Sequence, residues 1–176
     1  MSKVNWNLDP THSEVQFKVK HMMITNVTGN FKEFTVNANT NGDDFSSADI
    51  SFSAKTSSIH TGNEQRDGHL KSPEFFDSEK FENIHFKASK TEKLNDENYK
   101  ISGDLTIKDV TKPIALNAEF GGIQKDPWGN VKAGFTITGK INRKDFGLNW
   151  NAALETGGVM VSEEVRLAAE IQLVKG

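Results

Sequence analysis

Apolar and polar residues alternate with period two through most of this 176-residue chain. Successive side chains of a β-strand point to opposite faces, so that pattern is the mark of strands with one polar side. In residues 14–21, Val15, Phe17, Val19 and His21 alternate with Glu14, Gln16, Lys18 and Lys20. The pattern recurs from Phe34 to Ala38, Ile50 to Thr56, Ile84 to Ala88 and Tyr99 to Ile107. It recurs again from Ile114 to Phe120, Val131 to Ile141 and Val165 to Leu173. Turn formers separate these runs, including N-G-D-D at 41–44, N-D-E-N at 95–98 and D-V-T-K-P at 109–113. Gly29-Asn30 reads as a further turn, and residues 121–130 as a longer loop. No βαβ pattern interrupts the series. The expectation is one all-β domain over residues 1–176, with eight antiparallel, mostly sequential strands in a barrel or sandwich.

One stretch departs from the alternation. Residues 58–81 read S-I-H-T-G-N-E-Q-R-D-G-H-L-K-S-P-E-F-F-D-S-E-K-F. Thr61-Gly-Asn-Glu64 fits a capping box, in which the Thr hydroxyl takes an amide three residues on and the Glu reaches back. Residues 64–71 can then form two helical turns, stopped by Ser72-Pro73 because the residue before a proline avoids the α region. Arg66, His69 and Leu70 share a face of that short helix, which is suited to closing one end of the strands. Residues 143–155 also break the pattern and suggest a helical turn or bulge.

Eight strands closed into a barrel leave an interior filled by side chains or able to hold one small ligand. The inward phase mixes Phe17, Phe52, Phe86, Phe120 and Phe135 with Ala38, Ala54, Ala88, Ala118, Gly103, Gly139 and Ala169. Interdigitated large and small residues can taper a filled barrel; small inward residues can equally leave volume for a ligand. The residues alone leave both open.

A net charge of -3 gives no electrostatic footprint for nucleic acid. No polybasic cluster marks an anionic membrane surface as the main partner, and no apolar run of roughly 18 residues suggests stable membrane insertion. Cysteine is absent, which excludes disulfide and thiol chemistry. The first ten residues contain no apolar run of roughly 7–15 residues of the kind a signal peptide needs. The expected location is cytoplasmic, or periplasmic if such a segment has been trimmed.

Asp9, His12 and Ser13 supply the letters of a hydrolytic triad. Three groups so close on one extended segment do not place the imidazole between nucleophile and acid, so no catalytic residue is assigned. His12, His21, His60, His69 and His85 show no metal-binding spacing, and no metal or cofactor is expected. His21 falls in the inward phase of its strand, as a core residue or a donor to a polar ligand head; His85 falls in the outward phase. Arg66, Asp67 and His69 are the polar candidates for the barrel mouth. Arg66 is suited to diphosphate or carboxylate, or else pairs with Asp67 to fix the helix. Arg143 and Asp145 are read as structural. Trp128 and Trp150, in loops, line an entrance or plug an end.

Several motifs in order carry a family resemblance. They are D-P-T-H-S-E-V-Q-F-K-V-K-H (9–21), G-N-F (29–31), S-I-x-T followed by R-D-x-H-L-K-S-x-x-F-F-D, and I-x-F at 84–86. G-D-L-T-I-K-D-V-T-K-P (103–113) and I-N-R-K-D-F-G (141–147) complete the set. Together they resemble the YceI-like family of polyisoprenoid-binding proteins over nearly the whole chain. The resemblance implies an eight-stranded antiparallel lipocalin-like β-barrel with a short capping helix, holding an amphiphile inside. With strand phase, it places an isoprenoid or fatty-acid-like tail among Phe17, Val19, Phe52, Phe86, Leu105, Ile107 and Phe135. The polar head then lies near His21, Arg66 or His69. The implied function is non-catalytic sequestration or transport, with a quinone precursor or prenyl diphosphate as first choice. The alternatives are an enzyme acting on a lipid or its head group, and a stress-related interaction protein whose barrel is filled. A homodimer through an edge or outer face stays open.

Overall fold

The computed structural model describes residues 3–151 and 160–176. Among them, eleven strand segments form one antiparallel sheet. They are β1 (Lys3–Leu8), β2 (Glu14–His21), β3 (Thr25–Phe31), β4 (Phe34–Asn41), β5 (Asp44–Lys55) and β6 (Ile59–His60). After the helix α1 (Glu64–Lys71) come β7 (Asn83–Lys93), β8 (Asn98–Ile107), β9 (Val110–Lys125), β10 (Val131–Asn142) and β11 (Glu164–Lys175).

The sheet order β1-β4-β5-β7-β8-β9-β10-β11 closes through a β1–β11 pairing, with Trp6 opposite Lys175 and Leu8 opposite Leu173. The rest of β11 pairs with β2, from Leu167 opposite Phe17 to Glu170 opposite Glu14. β3 then pairs with β2, and β6 with β3. β1 and β2 are thus two halves of one stave, as are β3 and β4, and β5 and β6. The outcome is a closed eight-stranded antiparallel barrel with one helix. Eleven segments and eight staves are the same object counted twice.

The breaks have local causes. Pro10, which cannot donate to a ladder, opens a 3-10 turn at Pro10–His12. Asp9 caps that turn by accepting from the Thr11 amide at 3.2 Å. A second 3-10 turn, Thr56–Ser58, separates β5 from β6; there the buried Thr56 hydroxyl donates to the Phe81 carbonyl at 2.8 Å.

Four expectations need correction. The loop expected over residues 121–130 shortens to 126–130, because β9 runs on to Lys125. Residues 3–8 form a strand, and their Val4, Trp6 and Leu8 obey the same alternation as the others. Gly29-Asn30 is not a turn but lies inside β3. Gly29 faces Phe17 across the ladder, and a Cβ there would run into the Phe17 ring, so glycine serves a close approach. The turn itself falls at residues 22–24. Finally, Asn63 and not Thr61 caps α1: its side chain accepts from the Arg66 amide at 3.0 Å. Thr61 is occupied elsewhere, since its amide and hydroxyl both donate to Asp67, at 2.9 and 2.5 Å. The span of α1 and its stop at Ser72 are as expected.

The two ends of the barrel differ. At the end holding the β4–β5, β7–β8 and β9–β10 turns, Trp6 is fully buried and donates from Nε1 to Thr40 Oγ1 at 2.9 Å. Its ring lies 5.1 Å from Phe45, which packs on Phe120 at 5.5 Å and Phe135 at 4.9 Å. This aromatic stack plugs the floor. The other end carries the β2–β3 hairpin, α1, the β8–β9 turn and a 3-10 turn at Arg143–Phe146.

Candidate ligand-binding cavity

Above the aromatic floor the barrel encloses a cavity of about 580 Å³. That lies within the roughly 300–1,000 Å³ range of small-molecule sites. The period-two pattern explains its walls: Val15, Phe17 and Val19 of β2 face in, as do Phe52 of β5, Phe86 of β7, Leu105 and Ile107 of β8 and Phe135 of β10. The residues placed by strand phase around a tail therefore all line this one space. Small residues set its width, because Ala38, Ala54, Ala118 and Ala169 contribute to the wall where larger side chains would fill it.

Sequence reasoning missed much of the wall. Phe31, Phe75, Phe76, Tyr99 and Ile101 also line the cavity. The Phe75-Phe76 pair after Pro73 was the available signal. The polar floor residue Thr91 was missed as well; its Oγ1 is buried in the wall of β7 with no partner among the described residues.

Polar groups gather at the mouth. His21, Arg66 and His69 line the cavity there, together with Trp150, Met160 and Val161. Arg66 does not pair with Asp67. Its Nε donates to Thr61 Oγ1 and its Nη2 to the Thr61 carbonyl, each at 2.8 Å. Asp67, 9% exposed, holds the same Thr61 from the other side, so both side chains converge on one residue and fix α1 to the rim. No carboxylate among the described residues forms an ion pair with Arg66, and its Nη1 makes no hydrogen bond there. His69 is committed: Nε2 contacts Glu74, and the ring packs edge-on against Phe75 at 5.0 Å and Trp150 at 4.8 Å. Arg66 is a mouth cation with spare donors, as is Lys20, which also lines the cavity; His69 is mainly a wall.

The remaining candidates sort by place. Arg143, 2% exposed, donates to the carbonyls of Leu148, Trp150, Ser162 and Val161, at 2.6, 2.8, 2.8 and 3.2 Å. Burial pushes its pKa down, opposed by Glu163. Arg143 is a staple for the rim, while Asp145 is exposed. Trp128 is 83% exposed at the floor end, outside the cavity. His85 is exposed on the outer face. Asp9 does hold His12 Nδ1 at 2.9 Å, but Ser13 Oγ accepts from the Gln172 amide at 2.9 Å and does not contact the imidazole. The Asp9 carboxyl is held well below the usual carboxylate range, chiefly by a hydrogen bond from Lys132 at 2.7 Å.

Comparison with known proteins agrees with this geometry. A UPF0312 protein of Staphylococcus aureus strain N315 is 41% identical over 169 residues, covering 96% of each chain. The crystal structure of a Campylobacter jejuni YceI protein is 34% identical and superposes with a TM-score of 0.78, covering 96% of each chain. A polyisoprenoid binding domain from Saccharophagus degradans shares the fold at 15% identity and a TM-score of 0.67, covering 97% of this chain and 98% of that one. Residues 6–173 match the model of the YceI-like domain, and the chain belongs to the YceI-like family.

Proposed function

We propose that this protein binds an amphiphilic lipid without chemical change, to sequester or carry it, with its tail in the barrel and its head at the mouth. A polyisoprenoid, such as a quinone precursor or prenyl diphosphate, is the first choice, and a fatty-acid-like chain the second. The observation that carries the proposal is an apolar cavity of about 580 Å³ whose polar groups lie mainly at one end. The fold shared with a polyisoprenoid binding domain from another organism supports it.

An unfilled apolar cavity forfeits the dispersion contacts that dense packing gives, and a hydrocarbon tail restores them. At roughly 30 Å³ per water-sized group, the space takes about twenty carbon-sized groups; a longer isoprenoid extends through the mouth. Burying on the order of 400 Å² of tail contributes about 10 kcal/mol. Association costs of at least about 4 kcal/mol leave about 6 kcal/mol, an affinity of tens of micromolar from the tail before the head group adds its share. The spare face of Arg66 suits a diphosphate or carboxylate, whose oxygens accept from its planar fork.

Uptake of added prenyl lipids tests this. Leu105→Gln puts an unpaired amide in the wall and is expected to abolish uptake. Arg66→Gln is expected to weaken a prenyl diphosphate about tenfold, the value of one charged hydrogen bond, and to leave the matching prenyl alcohol unchanged. Undiminished uptake by a folded Leu105→Gln variant contradicts the interior assignment.

A further inference from the structure

The β2–β3 hairpin ends in Met22, Met23 and Ile24, which are 41%, 50% and 77% exposed. Three consecutive large apolar residues in water are unusual at a hairpin tip. The backbone adds a second cost. Met22 and Met23 have φ of 53° and 62°, and the Ile24 amide donates to the His21 carbonyl at 3.2 Å. A turn with both central residues left-handed favours Asn-Gly, and unbranched apolar side chains are poor occupants of it. Neither Met22 nor Met23 lines the cavity or joins the core among the described residues.

The tip is also part of the mouth. The Met22 amide donates to the Met160 carbonyl at 2.7 Å, and His21, Met160 and Val161 line the cavity. On the two strands behind the tip, from Val15 onward, charge has one sign; Glu163 and Glu164, beside Lys20 on the neighbouring segment, are paired with Lys144, Lys140 and Arg166. Residues 15–32 contain Lys18, Lys20 and Lys32 and no Asp or Glu, although the whole chain is acidic. Lys18 and Lys20 are exposed and form no ion pair among the described residues. Lys20 stands two residues below the tip, roughly 7 Å at the rise of a strand, which is within a Debye length of the surface the tip would touch. No run of basic residues is visible in the chain because the lysines alternate with inward-facing residues.

We propose that this hairpin is a docking element for an anionic lipid surface. Met22, Met23 and Ile24 enter the acyl boundary, and Lys18 and Lys20 meet the headgroups. An apolar tip with a cationic collar has the make-up of an interfacial anchor. Docked this way, the mouth faces the bilayer, and a lipid can pass between membrane and cavity without crossing water. The surface stands on its own geometry; only its use in lipid exchange rests on the proposed function.

The test is co-sedimentation of the full chain with vesicles of phosphatidylcholine alone, or with about a third phosphatidylglycerol. The double variant M22N/M23G supplies the residues that the turn prefers, so its unfolding midpoint is expected to hold or rise. Its binding to anionic vesicles is expected to fall by about tenfold or more. K18Q/K20Q is expected to lose the preference for anionic over neutral vesicles. Absence of wild-type binding to both vesicles overturns the proposal, as does equal binding by M22N/M23G. A dimer in sedimentation velocity that M22N/M23G dissolves, without vesicle binding, assigns the tip to a second copy and overturns it too. Lipid extracted from the purified protein is scored separately: tip-dependent docking by a protein that never holds lipid supports the docking surface and sinks the cavity's function.

Discussion

Replacing Arg143 by alanine should be among the most damaging single changes outside the barrel wall. The guanidinium is 2% exposed and has four carbonyl partners but no carboxylate. Hydrogen bonds from a charged donor contribute about 1.5–3 kcal/mol each when made singly. Four do not add in full, because the cation was desolvated to make them and the outer carbonyls regain water. A net loss of about 3–4 kcal/mol follows, the range for removing one partner of a buried charged network. At about 2–4 °C per kcal/mol for a chain of this size, the unfolding midpoint should fall by about 6–16 °C. Urea titration is the assay, since a lower midpoint with an unchanged slope reports stability alone. Arg143→Lys should recover less than half, because one ammonium cannot reach carbonyls spread around a planar fork. Arg143 stays protonated despite the burial that lowers its pKa, so the deficit should be flat from about pH 5 to pH 9. A loss below about 1 kcal/mol, or full rescue by lysine, refutes the staple.

Three further changes probe the frame. Asp9→Asn should cost about 1–2 kcal/mol at neutral pH. The folded Asp9 pKa lies below its unfolded value, mainly through Lys132. Its contribution is therefore complete above the unfolded pKa of about 3.9 and disappears as pH falls toward the folded one. In acid-unfolding curves, wild type and Asp9→Asn should converge below that pH; a constant gap contradicts the assignment. Gly103→Ala would place a Cβ against the Lys87 carbonyl and 2.8 Å from Ala88 Cα. Because backbone cannot swing aside, thermal unfolding should show a loss of about 2 kcal/mol or more, and a neutral effect would mean that β7 and β8 lie farther apart. Trp6→Phe removes the indole donor to Thr40 and leaves a void in the floor; a loss of about 2–3 kcal/mol in urea is expected.

Legibility varied with how local the cause was. The walls were readable because burial on one face forces alternation, and Phe52, Phe86 and Leu105 needed only their phase to be placed. Strand breaks were not readable in the same way. Gly29-Asn30 has turn chemistry, yet the glycine is there for Phe17, twelve residues earlier and visible only once β2 and β3 pair. Thr61 fits the capping box by spacing, but Asp67 takes its hydroxyl and Asn63 caps the helix instead. The floor was missed because Trp6 lies in β1, whose long-range pairing with β11 closes the barrel, and meets Phe45 only across the interior. Of the mouth, Arg66 and His69 were readable as neighbours on one helix face; their partners Thr61, Glu74 and Trp150 were not.

Native mass spectrometry of freshly purified protein, followed by organic extraction of what it carries, tests the lipid-holding barrel most directly. The predicted result is one bound species per chain, an isoprenoid or acyl lipid, absent from Leu105→Gln. A clean unliganded mass, with no uptake of added prenyl lipids, contradicts the proposal and leaves a barrel whose cavity has no lipid to hold.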